Sequence, residues 1–259
     1  MLTCYPSPGK RKAMKLCQAF AEGCGGRVAA LGERNLRPGA AFFYGMTEHT
    51  LPLIEQCQAE GREWYYADNA YYFGRGRYFR VTRKALQHDG SGDAGPERFE
   101  AFGRKIKPWK RDGRHVLIAT QSELFYRFRL GISRDEWTRN VVEELRAATD
   151  RGIRICDKPV AARSNNAAHG ASFEADLEEA WGLVTHSSST AVKALLEGVP
   201  VFCTGACMAS RMGLSDLSRI ENPRYPGGRE QWLCNLAANQ WTKAEMRDGT
   251  CWRQLSDDR

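Results

Sequence analysis

The feature that most constrains the fold is a stretch in the last third of the sequence, residues 183–202, which reads LVTHSSSTAVKALLEGVPVF. Its apolar ends predict two buried strands. Between them, small and apolar residues recur at the spacing of one helical face, and Gly198 is typical of a helix C-terminus. The stretch therefore predicts a strand, a turn, a helix and a second strand, which is the repeating unit of a parallel α/β sheet.

The turn before the predicted helix is unusually rich in side chains that hydrogen bond to oxygen. Hydroxyls at the first turn of a helix cap its amides, and together with those amides they bind anions, usually phosphate. Capping alone requires a single hydroxyl, so the run favours a phosphate site, with an ordinary N-cap as the alternative. The candidate ligands are His186, Ser187, Ser188, Ser189 and Thr190.

This segment is similar to a motif of a known family. THSSSTAVKALLEGVPVF resembles NSTVGLEALLxGKPV in the C-terminal half of capsule and Kdo-type glycosyltransferases of the two-Rossmann (GT-B) kind. In that family the turn and the helix start hold the diphosphate of a nucleotide-sugar. The resemblance implies a nucleotide-sugar donor, with a UDP-sugar as the first expectation. It covers this segment, and elsewhere only the order of the elements fits.

The rest of the chain alternates predicted strands and helices. This alternation predicts an α/β fold of two Rossmann-like halves. The resemblance implies that they are arranged in the GT-B-like way, with an interdomain cleft. We expect a basic acceptor domain at residues 1–112, a nucleotide-sugar domain at 113–228, and C-terminal helices at 229–259. In the family that the motif resembles, the last helix often crosses back onto the first domain, and Trp232, Leu233 and Leu236 are candidates for that contact.

Polar residues follow three predicted strands of the second half, where ligands of open α/β sheets bind. Ser122 follows the first, Arg154 and Lys158 flank the end of the second, and the serine-rich turn follows the third. Arg154 and Lys158 are candidates to neutralise a leaving diphosphate, with surface charges as the alternative. The sequence has no Asp-x-Asp motif, so we expect a reaction that requires no metal.

Transfer with inversion also needs a base for the proton of the acceptor hydroxyl. Asp68, which follows a predicted strand and precedes Asn69 and aromatic residues, is the first candidate. His49 and Glu48, at another strand-to-helix junction, are the second. A turn residue without a catalytic role is an equally good interpretation of Asp68.

Charge is unevenly distributed along the chain. Residues 1–115 hold 20 Lys/Arg against 12 Asp/Glu, whereas residues 116–259 hold 18 against 19. Basic residues interleaved with aromatic rings are typical of nucleic-acid contacts, and a solvated basic strand face is the alternative. The candidate DNA contacts are Arg75, Arg77, Arg80, Arg83, Lys107, Lys110 and Arg111.

The nine cysteines show no zinc-ligand spacing, although Cys203 and Cys207 stand four apart. They indicate buried thiols of a reducing compartment. With no apolar run of membrane-spanning length and no signal peptide at Met1, we expect a soluble, cytoplasmic protein, in the host cytoplasm if a phage encodes it, and a monomer or weak dimer.

Together these features predict a glycosyltransferase that moves a hexosyl or pentosyl group from a nucleotide-sugar to an acceptor hydroxyl. The small size and the basic first half favour a hydroxymethylated pyrimidine in phage DNA, such as 5-hydroxymethylcytosine, as the acceptor. A surface polysaccharide or lipid-linked glycan is the alternative acceptor. A nucleic-acid-binding protein without catalytic activity is the alternative of another class.

Overall fold

A computed structural model describes residues 1–71, 77–157 and 168–257, without side-chain detail at 168–172 and 257. By its internal contacts the chain divides into two units, and each is described by itself. Unit 1 comprises Met1–His88 and Leu236–Arg259, and unit 2 comprises Asp89–Asn235.

Unit 1 is built on a six-stranded sheet in the order β10-β5-β4-β3-β1-β2. Strands β1 to β4 run parallel, while β5 and β10 are antiparallel to their neighbours. The strands are β1 (Thr3–Tyr5), β2 (Arg27–Val28), β3 (Ala41–Tyr44), β4 (Trp64–Asn69), β5 (Tyr78–Arg83) and β10 (Gln240–Thr242). The sequence predicts alternating strands and helices over this region, and the structure adds that β4 and β5 pair antiparallel.

The two faces of this sheet carry separate cores because side chains alternate along each strand. Phe42 and Tyr65 face one core, which also contains α1 (Arg11–Cys24), α9 (Lys243–Arg247) and α10 (Thr250–Asp257). Phe43 and Tyr66 face the other core, which contains α2 (Thr50–Ala59).

The C-terminal part of the chain returns to the unit that contains the N-terminus, as predicted. Residues 236–259 add β10 to the edge of the sheet and place α9 and α10 beside α1. The division falls within α8 (Arg229–Ala238), and Trp232 packs in unit 2, where its indole N–H donates to the Met208 carbonyl at 2.9 Å. The hydrogen bond of Trp232, for which a contact to the first domain was expected, therefore lies within unit 2.

Unit 2 is built on a four-stranded parallel sheet in the order β7-β6-β8-β9. The strands are β6 (His115–Ala119), β7 (Gly152–Cys156), β8 (Ala180–Thr185) and β9 (Val201–Cys203). Strand β6 is fully buried, as its apolar sequence requires. The helices are α3 (Glu97–Glu100), α4 (Glu123–Leu130), α5 (Arg134–Arg146), α6 (Ala168–Glu178) and α7 (Thr190–Leu196), followed by a 3₁₀ turn at Leu217–Arg219.

The two sheets and their helices confirm the predicted α/β class with two Rossmann-like halves. The segment at 89–112, which the sequence assigns to the end of the first domain, belongs by its contacts to unit 2. The Lys107 N–H donates to the Leu196 carbonyl and the Lys110 N–H to the Gly198 carbonyl, each at 2.8 Å. These backbone bonds attach the segment to the end of α7.

Helix α1 approaches α9 so closely that only glycine fits at the contact. A Cβ added to Gly23 would lie 1.9 Å from the Met246 carbonyl oxygen. Alanine within a helix ordinarily stabilises by about 0.5–1 kcal/mol relative to glycine, but overpacking costs about 1–3 kcal/mol.

We therefore expect Gly23→Ala to lower the free energy of unfolding by about 1–3 kcal/mol, because α1 and α9 must separate. The measurement is denaturant unfolding of the full chain. Gln18→Ala, at an exposed position of the same helix, is the matched control and should leave the unfolding midpoint unchanged. Equal midpoints for both variants would contradict the close approach.

Candidate anion site at the serine-rich turn

The serine-rich turn, residues 186–190, follows β8 at the carboxyl edge of the unit 2 sheet. Side chains attach it to the end of the neighbouring strand β6. Thr185 Oγ1, fully buried, donates to the Ala119 carbonyl at 2.7 Å. Gln121 Nε2 donates to Ser187 Oγ at 3.1 Å, and the Ser187 N–H donates back to Gln121 Oε1 at 3.2 Å. The turn is therefore fixed across the two central strands.

The hydroxyls of the turn are not equivalent. Ser187 is 6% exposed and belongs to the attachment just described. Ser188 Oγ accepts from the Thr190 N–H at 3.3 Å, and the Ser188 N–H donates to Thr185 Oγ1 at 3.4 Å. Ser189 is the N-cap of α7, yet its side chain makes no capping bond, and Thr190 Oγ1 is buried with no partner in the described part of the chain. Ser189 and Thr190 are thus the hydroxyls left for a ligand.

His186 is held between a hydroxyl and aromatic rings. Its Nδ1 lies 3.1 Å from Thr204 Oγ1, and its ring centroid lies 5.6 Å from that of Phe125. The backbone of Gly205 comes so close that an added Cβ would lie 2.3 Å from His186 Nε2. Burial, with a smaller effect of the nearby Arg129 charge, lowers the pKa of His186 below its ordinary value. The ring is therefore neutral at neutral pH and can offer a hydrogen bond but no charge.

Helix α4 supplies one residue that was not predicted, Arg129, which is exposed and whose charge contributes to lowering the pKa of His186. Ser122, which was predicted as a ligand of the donor, accepts from the Phe125 N–H at 3.4 Å and caps α4. Its hydroxyl is therefore engaged in the structure, and a role in binding stays a prediction. The signals of this helix are present in the sequence: a serine N-cap, Glu123 in the first turn, and Gly131 with φ of 70° at the C-cap.

A second missed group lies at the ends of β6 and β7. Thr120 Oγ1 donates to Asp157 Oδ1 at 2.9 Å, and Arg134 Nε lies 3.7 Å from the same carboxylate oxygen. The Gln121 N–H also donates to the Tyr126 hydroxyl at 3.2 Å. These contacts make the carboxyl edge a hydrogen-bonded layer in which Arg134 offsets the charge of Asp157.

Arg154 is not brought to the turn. It lies in the middle of β7, opposite Leu117, and its guanidinium donates to Asp176 Oδ1 at 2.5 Å. The carbonyl of Asp176 lies 2.9 Å from His115 Nε2, at the first residue of β6. The described contacts of Arg154 are therefore toward the amino edge of the sheet, whereas the serine-rich turn is at the carboxyl edge. Lys158 lies outside the described residues.

In unit 1, Asp68 is near the end of β4 and is held by its neighbours. Its Oδ2 accepts from Tyr66 Oη at 3.1 Å and from Arg80 Nη2 at 3.0 Å, and its Oδ1 accepts from the Asn69 N–H at 2.7 Å. The carboxylate keeps 29% exposure. Burial, then the Asp68 charge, raises the pKa of Tyr66 well above its ordinary value, so the phenol is a hydrogen-bond donor. Asp68 is a well-oriented carboxylate with one side open.

His49 does not share this environment. It is 7% exposed, and its Nε2 lies 2.9 Å from the Glu33 carbonyl in the loop after β2. Asp68, by contrast, contacts β5 through Arg80. The two candidate bases therefore have contacts with different elements, and the burial of His49 does not suit a group that receives a proton from a substrate.

The predicted nucleic-acid residues are largely engaged within the protein. Arg80 is buried and pairs with Asp68, Arg83 pairs with Glu63, and Lys107 pairs with Glu197. Lys110 Nζ donates to the Glu178 carbonyl, and Arg77 and Arg111 lie over the rings of Tyr78 and Tyr225. Lys107, Lys110 and Arg111 belong to unit 2, and Arg75 lies outside the described residues. The seven residues do not form one basic surface on unit 1.

Two features are absent from the ranges that the structure describes, 1–71, 77–157 and 168–257. No group of three or more His, Cys, Asp or Glu in those ranges is arranged to hold a metal ion. None of the helices there combines the length and the apolar character needed to cross a membrane.

Both units have the sheet-and-helix construction of Rossmann-like halves, which is the class of fold that two-domain glycosyltransferases share.

No sequence model of a protein family matches the chain, and no curated protein matches it. Two solved structures from Thermosulfurimonas dismutans have a similar fold, and both are described as KpsC. The beta Kdo 2,4 transferase has a TM-score of 0.51 over 91% of this chain and 89% of its own, at 12% identity. The beta Kdo 2,7 transferase has a TM-score of 0.52 over 100% and 99%, also at 12% identity. At this identity the likeness shows the fold.

The lowered pKa of His186 gives a prediction for pH dependence. Burial and the Arg154 charge also lower the pKa of His115. Because the unfolded chain binds protons at about pH 6.5 and the folded rings bind them only below that pH, the neutral rings stabilise the fold above about pH 6.5. This stability is lost as the pH falls from about 6.5 through the two folded-state pKa values.

Ring signals in NMR titrations should therefore give midpoints below about 6.5 for both residues. His186→Gln assigns one of the signals. It should also flatten the loss of unfolding free energy at acid pH. A midpoint at or above the ordinary value for His186 would contradict the buried, neutral ring.

Proposed function

We propose that the chain is a glycosyltransferase that binds the phosphate of a nucleotide-sugar at the serine-rich turn. The observation that carries this proposal is the turn itself, in which the Ser189 side chain makes no capping bond and Thr190 Oγ1 is buried without a partner in the described part of the chain. Polar groups left unpaired in a native structure call for an explanation, and a ligand oxygen supplies one. The fold shared with two Kdo transferases supports the same reaction class.

In this proposal the phosphate is held by the donors of the turn together with one exposed cation. Ser189 and Thr190 supply hydroxyls at the start of α7, and the neutral His186 supplies an N–H. Arg129 supplies the positive charge that was expected of Arg154, and it makes a charge-assisted bond to a phosphate oxygen. A guanidinium at this place supports transfer without a metal. The identity of the nucleotide, with UDP as the first probe, is part of the proposal.

The acceptor that we propose is a polysaccharide. The DNA acceptor rested on charge, and the basic residues that were to form a DNA surface are mostly paired or divided between the units. Unit 1 nevertheless holds 17 Lys/Arg against 11 Asp/Glu. Its net positive charge would attract an acidic glycan as it would attract DNA. The names of both similar structures also indicate sugar chemistry, which favours the glycan alternative over DNA.

In the transfer step, the acceptor oxygen bonds to the anomeric carbon while the bond from that carbon to the phosphate oxygen breaks. The hydroxyl proton goes to a base, for which Asp68 stays our prediction, and the released nucleotide keeps the electron pair of the broken bond. Tyr66 and Arg80 would orient that carboxylate.

The donor site is tested by Arg129→Ala. We expect this change to weaken UDP binding by about tenfold or more, because one charge-assisted hydrogen bond is lost. The measurement is titration calorimetry, supported by the shift of Tm with UDP and with a nucleoside monophosphate. Arg127→Ala on the same helix is the matched control, since Arg127 pairs with Glu123. Equal losses in both variants, or binding of no nucleotide by the parent protein, would contradict the proposed site.

The reaction is tested with a panel of nucleotide-sugars and three acceptors: an acidic polysaccharide, a neutral polysaccharide and hydroxymethylated duplex DNA. We expect nucleotide release and product formation with the acidic polysaccharide, at a rate that falls with salt because the attraction is electrostatic. Products are read by mass spectrometry. Transfer to DNA alone would restore the DNA interpretation, and binding of DNA without transfer from any donor would favour the non-catalytic alternative.

A further inference from the structure

Two cysteines at the end of β9 lie side by side. Cys203 is the last residue of the strand and is 3% exposed, and Cys207, which is 7% exposed, follows in the next turn. A hydrogen bond joins their side chains. Ser210 contacts Cys207 from the other direction, because its Oγ accepts from the Cys207 N–H at 2.9 Å and donates to Cys207 Sγ at 3.8 Å.

The two thiols are electrostatically different. The hydrogen bond from Cys203 lowers the pKa of Cys207 to about 7, together with the backbone of Ala209 and the Ser210 side chain, although burial acts in the opposite direction. The same bond and burial raise the pKa of Cys203. Cys207 is therefore the more acidic of the two thiols and has a less acidic thiol beside it, which is the arrangement of a reactive and a resolving cysteine.

The residues between the two cysteines contact the serine-rich turn. Thr204 Oγ1 bonds to His186 Nδ1, the Thr204 N–H donates to the Thr185 carbonyl at 3.0 Å, and the Gly205 N–H donates to the His186 carbonyl at 3.0 Å. A change in the separation of the two sulfurs therefore acts on the backbone that positions His186.

We propose that Cys203 and Cys207 form a peroxide-sensitive dithiol whose closure to an intrachain disulfide displaces Thr204 from His186. The Cys207 thiolate attacks one oxygen of hydrogen peroxide, the O–O bond breaks, and hydroxide leaves, so that Cys207 becomes a sulfenic acid. The Cys203 sulfur then attacks the Cys207 sulfur and the S–OH bond breaks. The Cys203 proton and the hydroxyl leave as water. In total, two electrons pass from the thiols to the peroxide.

Closure requires movement, because a disulfide holds its sulfurs about 2.05 Å apart, closer than hydrogen-bonded thiols lie. The Thr204–Gly205 segment lies within the small loop that closes. We name hydrogen peroxide as the oxidant because Cys207 is mostly buried and a small, uncharged molecule can reach it.

Unit 1 contains a natural comparison. Cys4 and Cys17 are both fully buried and also share a side-chain hydrogen bond, but burial and that bond raise the pKa of Cys4 well above its ordinary value. If proximity alone determined reactivity, peroxide would oxidise both cysteine pairs at the same dose. Thiolate character predicts that Cys203–Cys207 reacts first.

The experiment treats the full chain with a graded excess of hydrogen peroxide, blocks remaining thiols with N-ethylmaleimide, and analyses tryptic peptides by mass spectrometry. Peptide 194–211 contains Cys203 and Cys207 and no other cysteine. We expect it to lose two hydrogen atoms and to take no maleimide, before the Cys4 and Cys17 peptides change. Addition of oxygen at Met208 would give a different mass. Oxidation of Cys4–Cys17 at the same or a lower peroxide dose would overturn the proposal.

Two variants separate the roles of the sulfurs. Cys203→Ala should leave a Cys207 sulfenic acid that dimedone traps, whereas Cys207→Ala should give no dimedone adduct in this peptide. Cys234→Ala, which removes a buried cysteine of α8, is the control and should still form the disulfide. A dimedone adduct on Cys203 in the Cys207→Ala protein would show that the assigned roles are wrong.

The coupling to the turn is read first by NMR. Oxidised protein should show a shifted His186 ring signal that dithiothreitol restores, and an unchanged signal would refute the displacement of Thr204.

A second readout, which rests on the proposed function, is UDP affinity. We expect it to fall by at least about tenfold on oxidation if the charge-assisted contacts of the turn are disturbed. A protein that binds no UDP in either state would contradict the proposed function and leave the disulfide and NMR results standing. Unchanged UDP affinity beside a formed disulfide would show that the pair does not regulate this site.

Discussion

The arrangement of the candidate site depends on the hydrogen bonds that join the carboxyl ends of β6 and β8. Thr185 and Ser187 on one strand end bond to Ala119 and Gln121 on the other, and all four groups are at least partly buried. Each such bond contributes about 1 kcal/mol, but leaving a buried partner unsatisfied costs about 1–3 kcal/mol. The cost of leaving these buried groups unsatisfied therefore holds the turn in place more strongly than the net contribution of each hydrogen bond. Its remaining hydroxyls can then be held in place before a ligand arrives, which reduces the entropy lost on binding.

The serine-rich turn and its helix were predictable because their signals are local. An apolar strand, a run of hydroxyls, a helical face and Gly198 lie within twenty consecutive residues, and each selects the same conformation. Arg154 shows where such reasoning ends. Its position in a strand is readable, but the direction of its guanidinium depends on Asp176, which is 22 positions later in the chain. The sequence does not indicate which of several acids a basic residue will meet.

Other elements were missed for a different reason. Helix α4 has only eight residues, and its mixture of aromatic and basic residues gives a weak periodic signal, although its two caps are readable. Strand β10 has three residues, and its pairing with β5 is set by the return of the chain, which no short window contains. The basic pattern around Arg80 was readable too, but the burial of this guanidinium against Asp68 depends on the β4–β5 pairing. Charge counted along the sequence therefore overstated the charge that is open to a partner.

The neutral state of His186 determines how the proposed site would handle charge. With the ring uncharged, the positive charge comes from Arg129, which is exposed and so pays little desolvation when no ligand is present. A bound phosphate would favour the protonated ring, so phosphate binding and proton uptake at His186 are linked. Thr204 Oγ1 contacts His186 Nδ1. In our proposal, oxidation of Cys203 and Cys207 to a disulfide changes the protonation equilibrium of His186 through this contact. One histidine thus joins the three features of unit 2 that the fold brings together: the hydroxyl turn, the basic helix and the thiol pair.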